Sequence, residues 1–141
     1  MKKVLFDSDV IIIDVLSRRE PFFSASFQAL NLVNLRLIQG YISAHAVTNI
    51  FYILRKQLGI PTTLTLLQTL LEEICIAPIN DSVIHAALTN PQNDFEDAVT
   101  REAARASHID YIVTRNLKDY TQSSIPAFLP EQLLANIISD S

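Results

Sequence analysis

Short apolar runs alternate with amphipathic segments along this chain. Residues 2–6 form an apolar run that stops at an acid, which is typical of a buried strand. Between residues 45 and 58, apolar side chains recur at helical spacing until Gly59-Ile60-Pro61 ends the segment. The same reasoning predicts strands at residues 41–43, 74–77, 111–113 and 125–129 and a turn at 90–93. It also predicts helices over residues 10–16, over 24–38 with Gly40 closing the helix, from Thr62 or Thr63, from Asp81, over 94–107 and from Pro130.

Strands that are separated by helices predict a parallel sheet covered on both faces. The expected fold class is therefore α/β, a three-layer α/β/α sandwich with a short, mainly parallel sheet of about five strands. In such sheets the ligand crevice lies beyond the carboxyl ends of the strands. The residues that directly follow each strand are thus the first candidates for a site.

Composition narrows the class of protein. The chain has 141 residues, of which 49% are apolar and 18% charged, so we expect one globular domain over residues 1–141 rather than disorder. No apolar run approaches the roughly 18–20 residues that cross a bilayer, and an acid at position 7 interrupts any signal-peptide apolar region. A single cysteine, Cys75, excludes an internal disulfide framework and a cysteine-based zinc site. These features predict a soluble cytoplasmic protein with no membrane association.

The charge balance argues against nucleic-acid binding by bulk charge. The chain carries 11 basic and 15 acidic residues, for a net charge of −4, whereas phosphate neutralisation needs clustered Lys and Arg. An enzyme that binds substrate phosphates through a metal ion in an acidic pocket remains compatible with this charge balance.

Acidic side chains follow the predicted strands. Asp7 and Asp9 come after the first strand, and a helix opens with Asp94, Glu96 and Asp97. Carboxylates that converge on a small volume repel one another unless a cation neutralises them, and oxygen ligands favour Mg²⁺ or Mn²⁺. Two ordinary interpretations stay open. The Asp94–Asp97 pair suits a helix cap with an acid in the first turn, and Asp97 with Arg101 has the spacing of a surface ion pair.

Other candidates for chemistry are weaker. The three histidines, His45, His85 and His108, share no spacing for a metal or a catalytic triad, so we expect structural roles for them. Cys75 lies in an apolar strand and is expected in the core. Two glycines cannot build a phosphate loop, and Ser8 lacks the Gly-x-Ser-x-Gly setting of a hydrolase nucleophile.

Over nearly its whole length the sequence resembles the PIN-domain family of metal-dependent ribonucleases, particularly the small VapC-type toxins. The order and spacing of several segments carry the resemblance. They are Val4-Leu5-Phe6-Asp7-Ser8-Asp9-Val10, Ile42-Ser43-Ala44 leading into Ile50-Phe51-Tyr52-Ile53-Leu54-Arg55-Lys56, Asp94-Phe95-Glu96-Asp97-Ala98, Ile112-Val113-Thr114-Arg115-Asn116-Leu117-Lys118-Asp119-Tyr120, and the tail Ile125-Pro126 with Leu129-Pro130-Glu131.

The resemblance implies roles for individual residues. It makes Asp7 and Asp97 metal-binding catalytic acids, and it places Asn49 and Asn116 where the family usually has acids. An asparagine keeps a carbonyl ligand but loses the charge. The remaining implied roles are extra negative charge at the metal from Asp9, Glu96 and Asp119, orientation of a ligand or water by Thr114, and contacts to RNA from Ser8, Thr114, Arg115 and Lys118.

The function implied is hydrolysis of RNA phosphodiesters with Mg²⁺ or Mn²⁺, by a homodimer that pairs with a small antitoxin protein. Two rivals stay open. Asp7-Ser8-Asp9-Val10 also fits the opening motif of haloacid-dehalogenase-type phosphatases, although no lysine stands in the expected intervening position. Asn49 and Asn116 favour a PIN-like RNA- or protein-binding module with a degenerate active site.

Overall fold

A five-stranded sheet organises the fold. The computed structural model describes residues 1–11, 18, 20–89 and 94–140. The strands are β1 (Lys2–Phe6), β2 (Ile38–Ser43), β3 (Cys75–Ala77), β4 (Tyr111–Val113) and β5 (Ala127–Phe128). The helices are α1 (Phe23–Asn34), α2 (Ala44–Leu58), α3 (Ile60–Glu73), α4 (Asp81–Thr89), α5 (Phe95–Ala106), a 3₁₀ helix (Leu117–Tyr120) and α6 (Pro130–Asp140). The predicted helix over residues 10–16 and the predicted turn over 90–93 fall largely or wholly outside the described residues.

The sheet order β3-β2-β1-β4-β5 is built from parallel pairs throughout. From β1 the chain moves outward to β2 and β3, and it then returns to place β4 and β5 on the other side of β1. The switch point therefore lies between the carboxyl ends of β1 and β4, which is where parallel sheets form their ligand crevices. This confirms the predicted α/β class with its mainly parallel sheet of five strands.

Two apolar cores cover the two faces of the sheet. Val4 and Phe6 of β1 pack into one core with α1, α2, α3 and α6, and Leu5 packs into the other core with α4 and α5. Alternate residues of a strand point to opposite faces, so an uninterrupted apolar run is what a doubly covered strand needs. The three layers follow directly from that run.

The end of α1 differs from the prediction. The helix ends at Asn34 rather than near residue 38, and Gly40 lies inside β2 instead of closing the helix. Arg36 has a left-handed φ of 58°, its N–H donates to the Val33 carbonyl, and the Leu37 N–H donates to the Leu32 carbonyl. This is a Schellman ending with an arginine where glycine is usual. The sequence therefore gives no glycine signal at the true helix end.

The starts of two helices and the exposure of Cys75 also differ from the prediction. Gly59 precedes α3 in place of Thr62 or Thr63, and the Asn80 side chain, rather than Asp81, accepts the N–H of Val83 at 3.1 Å and caps α4. Cys75 is exposed, not in the core, because β3 is an edge strand of three residues.

No helix among the described residues is long and apolar enough to cross a lipid bilayer.

We expect Gly40→Ala to destabilise the fold. A Cβ at position 40 would lie 2.7 Å from Cγ2 of Val33, a branched side chain on α1 that cannot swing away. Overpacking of this kind lowers the free energy of unfolding by about 1–3 kcal/mol. Urea denaturation should show this loss. Gln39→Ala, at the exposed neighbouring position, should stay within about 0.5 kcal/mol of the parent, and equal stability of the two variants would contradict the close packing of α1 on β2.

Candidate metal centre

A small acidic cavity lies at the carboxyl edge of the sheet, beside the switch point. Its volume is about 130 Å³. Six of its described lining residues carry carboxylates, none is Lys or Arg, and one is a histidine. The lining residues are Asp7, Ser8, Asp9, His45, Ala46, Asn49, Asp94, Glu96, Asp97, Thr100, Asn116 and Asp119. Acids from β1, from the start of α5 and from the 3₁₀ helix thus meet in one place.

Several hydrogen bonds hold Asp7 in place. Its backbone N–H donates to the Val113 carbonyl at 2.8 Å, which extends the pairing of β1 with β4 by one step. Its Oδ2 accepts hydrogen bonds from the Thr114 hydroxyl at 3.0 Å and the Tyr120 hydroxyl at 3.2 Å. Two donors on one oxygen fix the orientation of the carboxylate.

The environment of Asp7 disfavours its charge. Burial raises the pKa of the Asp7 carboxyl to about 6, and the nearby Asp9 carboxylate adds to this rise. Hydrogen bonds from Thr114, Tyr120 and the Ser8 backbone act in the opposite direction. A buried carboxylate that stays partly destabilised after accepting these bonds is a ligand prepared for a cation.

Asp97 lies in the first turn of α5 and faces the same cavity. Burial raises the pKa of its carboxyl to about 7, and the charges of Asp7, Asp94 and Asp119 contribute to this rise. The Asp119 carboxyl also forms a hydrogen bond with Asp97. Asp7 and Asp97 therefore influence each other electrostatically, although they are far apart in the sequence.

The first turn of α5 supplies two further acids. Asp94 is the N-cap, and its Oδ1 accepts the N–H of Glu96 at 2.9 Å, so it caps the helix while also lining the cavity. Asn49 of α2 donates from Nδ2 to Oε1 of Glu96 at 3.1 Å. Arg101 is buried and donates from Nε to Glu102 at 2.9 Å, so it does not lie on the surface as the ion-pair interpretation expected.

The donor set fits a hard divalent cation. Carboxylate and amide oxygens are the ligands that Mg²⁺ and Mn²⁺ prefer. Among the described residues, no three His, Cys, Asp or Glu side chains are arranged to hold a metal ion by themselves. Mg²⁺ keeps several waters and is usually held by one or two protein carboxylates. Asp7 and Asp97, with Asp119 beside them, fit that kind of site.

The segment after β4 lines another side of the cavity. Asn116 lies just before the 3₁₀ helix, where its backbone N–H donates to the Thr114 hydroxyl at 3.0 Å. Both Asn116 and Asp119 line the cavity, and Asp119 also contacts Asp97. Because the tight 3₁₀ turn brings residue 119 back to the site, Asp119 supplies a charge that Asn116 lacks.

Two residues expected to meet RNA have other roles. Thr114 is fully buried, so its hydroxyl orients Asp7 and cannot contact a substrate. Arg115 is about one-tenth exposed and donates to Glu131 at 2.5 Å, to the Phe22 carbonyl at 3.1 Å and to Ser26 at 2.9 Å. Its guanidinium joins α1 to α6 within the protein, which corrects the expected contact with RNA phosphates.

The other two residues expected to contact RNA differ in exposure. Ser8 lines the cavity directly after Asp7 but is buried. Lys118 is exposed on the 3₁₀ helix, adjacent in sequence to Asp119. Contacts of Ser8 and Lys118 with RNA therefore stay predictions.

Sequence reasoning missed His45. The sequence predicts a structural role for all three histidines, yet His45 lines the acidic cavity. Its Nδ1 lies 3.1 Å from the Ser43 hydroxyl and its Nε2 lies 3.4 Å from the Thr100 hydroxyl. The available signal was its position two residues after a strand end, at the edge where a parallel sheet forms its crevice.

The chain belongs to the PIN-domain family, whose model matches residues 3–118. This confirms the resemblance drawn from the sequence motifs. No curated protein matches the chain in sequence.

Solved structures share the fold. A toxin–antitoxin complex from Klebsiella pneumoniae contains a chain 24% identical to this one, with a TM-score of 0.67 over 90% of this chain and 97% of that one. VapBC2 from Rickettsia felis, bound to a DNA fragment from its promoter, gives 12% identity and a TM-score of 0.68 over 90% and 98%. VapC20 from Mycobacterium tuberculosis, a toxin that cleaves the sarcin–ricin loop, gives 10% identity and a TM-score of 0.59 over 77% and 86%.

We expect Asp97→Asn to raise the melting temperature of the metal-free protein by roughly 2–4 °C at about pH 8. The substitution removes one charge from a cluster of like charges, and the new amide can donate to the Asp119 carboxylate. Differential scanning calorimetry in the presence of a chelator would measure the change. Asp81→Asn, at an exposed position outside the cavity, should not raise the melting temperature, because it removes only an exposed contact with His85. A lower melting temperature for Asp97→Asn would show that repulsion is not the dominant interaction at this position.

Proposed function

We propose that this protein is a divalent-metal-dependent endoribonuclease of the toxin type, which hydrolyses RNA phosphodiester bonds. The observation that carries the proposal is the convergence of Asp7, Asp97 and Asp119 on a cavity whose described lining includes no Lys or Arg. Such a cluster repels a phosphate until a cation binds. Membership of the PIN-domain family and a fold shared with VapC toxins support this activity over other metal-dependent chemistries.

Within this proposal Asp7 and Asp97 hold Mg²⁺ or Mn²⁺, and Asp119, Glu96, Asn49 and Asn116 assist. The ion, when bound, supplies an activated water and stabilises charge on the phosphate oxygens. Thr114 and Tyr120 keep the Asp7 carboxylate oriented through Oδ2.

The side chains that we assign to the RNA backbone are Ser8, which is buried in the cavity lining, and Lys118, which is exposed and precedes Asp119 in the sequence. The Lys118 ammonium supplies a positive charge one residue away from that acid. Binding of RNA therefore does not depend on the charge of the whole chain.

We also propose an antitoxin protein as partner and a homodimeric assembly. The observation that supports the antitoxin is that the Klebsiella pneumoniae and Rickettsia felis structures are toxin–antitoxin complexes in which chains of this fold take part. An RNA substrate belongs to the same proposal, since the Mycobacterium tuberculosis neighbour is a toxin that cleaves the sarcin–ricin loop.

The rival functions differ in their support. The haloacid-dehalogenase interpretation rested on Asp7-Ser8-Asp9-Val10 alone, and the PIN-domain match over residues 3–118 replaces it. A binding module with a degenerate active site keeps one observation in its favour. The Asn49 amide is engaged by Glu96, and neither Asn49 nor Asn116 adds charge to a metal site.

We expect Asp7→Asn to lower metal-dependent RNA cleavage by at least ~100-fold, because the carboxylate that binds the ion is lost. Cleavage of a labelled RNA with Mn²⁺, with Mg²⁺ and with a chelator would measure this. The matched control is Asp81→Asn, which removes an exposed carboxylate outside the cavity and should cleave like the parent. Equal cleavage by Asp7→Asn would reject this residue as a ligand, and cleavage that persists in the chelator would reject the metal.

We expect Asn49→Glu to tighten Mn²⁺ binding about ten-fold, because an added carboxylate strengthens the Coulomb attraction for the ion. The same substitution should lower the melting temperature of the metal-free protein, since the new carboxylate would face Glu96, the present partner of Asn49. Isothermal titration calorimetry and thermal unfolding would test both effects. Weaker Mn²⁺ binding would mean that position 49 does not face the ion and would favour the degenerate-site alternative.

A further inference from the structure

Two helices face each other across the acidic cavity, and the spacing of their residues shows which faces meet. His45 and Asn49 are four residues apart on α2, so they share one face of that helix, and both line the cavity. Glu96 and Thr100 have the same spacing on α5 and also line the cavity. One turn of each helix therefore contributes to the lining.

Two contacts join these faces in a consistent register. Nε2 of His45 lies 3.4 Å from the Thr100 hydroxyl, and Nδ2 of Asn49 donates to Oε1 of Glu96 at 3.1 Å. From the first contact to the second, the chain advances by four residues along α2 and goes back by four along α5. The hydrogen bond between Asn49 and Glu96 thus agrees with the way in which the two helices pack.

The backbone of Glu96 is fixed, whereas its side chain is not packed. The backbone N–H donates to Oδ1 of Asp94 at 2.9 Å, and the backbone carbonyl accepts from the Thr100 hydroxyl at 3.1 Å. Glu96 itself is exposed. Its carboxylate therefore has freedom to move, and the hydrogen bond to Asn49 restrains that freedom by joining it to α2.

Charge repulsion acts against this position of the Glu96 carboxylate. The cavity lining also includes Asp94 and Asp97, which precede and follow Glu96 on the same turn. Like charges at short range favour conformations that turn an exposed carboxylate toward water. The NH₂ group of Asn49 opposes this turn, because it donates to the carboxylate. An amide carries no net charge, so Glu96 keeps its full negative charge for a cation, which a lysine at position 49 would neutralise.

We propose that Asn49 is a positioning residue of the acidic cavity: its amide donates to Glu96 and holds that carboxylate over the cavity, where its charge adds to the cation site. Asn49 therefore acts on a cation through Glu96 rather than as a ligand itself. The consequence for the cation rests on the proposed function. The hydrogen bond does not, since it is a property of the metal-free protein.

The hydrogen bond is tested first, in the presence of a chelator. In ¹H–¹⁵N correlation spectra the side-chain NH₂ protons of Asn49 respond to their acceptor, and a charged acceptor binds them more strongly than a neutral one. We expect Glu96→Gln to shift these proton signals upfield. Glu72→Gln, at an exposed acid outside the described cavity lining, should leave them in place. Signals that stay in place in Glu96→Gln would overturn the proposal.

The positioning is tested by Mn²⁺ titration calorimetry on the parent, Asn49→Leu, Glu96→Gln and the double variant. We expect roughly ten-fold weaker binding in Glu96→Gln, which loses a carboxylate, and roughly three-fold weaker binding in Asn49→Leu, which loses the donor. The double variant should bind within about two-fold of Glu96→Gln, because no carboxylate is left to position. Asn34→Leu, which removes an amide that donates to Asn31 outside the cavity, should bind like the parent.

Exchanging the two side chains tests the pair in another way. Asn49→Glu combined with Glu96→Gln keeps one carboxylate and one amide at the same contact, with their helices exchanged. We expect this variant to bind Mn²⁺ within about three-fold of the parent, because the number of charges is unchanged.

The outcomes distinguish the positioning role from the proposed function. If the parent protein binds no Mn²⁺, the proposed function fails, and the NH₂ signals of Asn49 decide the hydrogen bond. A loss in Asn49→Leu that persists in the Glu96→Gln background would overturn the proposal, because Asn49 would then act as a ligand of its own. Parent-like affinity in Asn49→Leu or in Glu96→Gln would also overturn it. If Asn49→Leu does not fold, the exchanged variant decides, and affinity as weak as that of Glu96→Gln would reject the pairing.

Discussion

The burial of the Asp7 carboxylate is the constraint on which the rest of this structure depends. A charged group at the end of a central strand is unfavourable unless donors or a cation compensate it. Thr114 and Tyr120 supply two donors, and both come from the segment that follows β4, the strand paired with β1. The order of the strands therefore brings the acid and its partners together, and the same order places other acids within range of its charge.

The parallel topology explains why a chain with few charges concentrates them in one place. Every strand of the sheet points in the same direction, so the residues after β1, β2 and β4 emerge at one edge. The start of α5 closes the cavity with Asp94 and Asp97. Asp94 is both helix cap and cavity wall, so the cap interpretation is confirmed, whereas a role of Asp94 at a metal stays a prediction. An acid in the first turn of a helix is also favoured by the helix dipole, which offsets part of the repulsion.

Hydrophobic patterning predicted the sheet, its parallel character and most helices, because those features depend on which residues are buried. Position after a strand or at a helix start also identified Asp7 and Asp97 as candidates, whereas Asp119 came from the resemblance to the PIN-domain family. It could not locate the end of α1, where Arg36 takes the left-handed conformation without a glycine. It misassigned Arg115 as well, because the partners of that guanidinium come from α1 and α6 and are visible only after folding.

The place of His45 in the cavity could not be predicted from the sequence for a related reason. A histidine without a second histidine or cysteine at ligand spacing carries no motif. Ser43 precedes it by two residues, but Thr100 comes from a different helix. The contacts of His45 with both hydroxyl groups therefore exist only after α2 and α5 have packed at the carboxyl edge of the sheet, where the chain also places its acids.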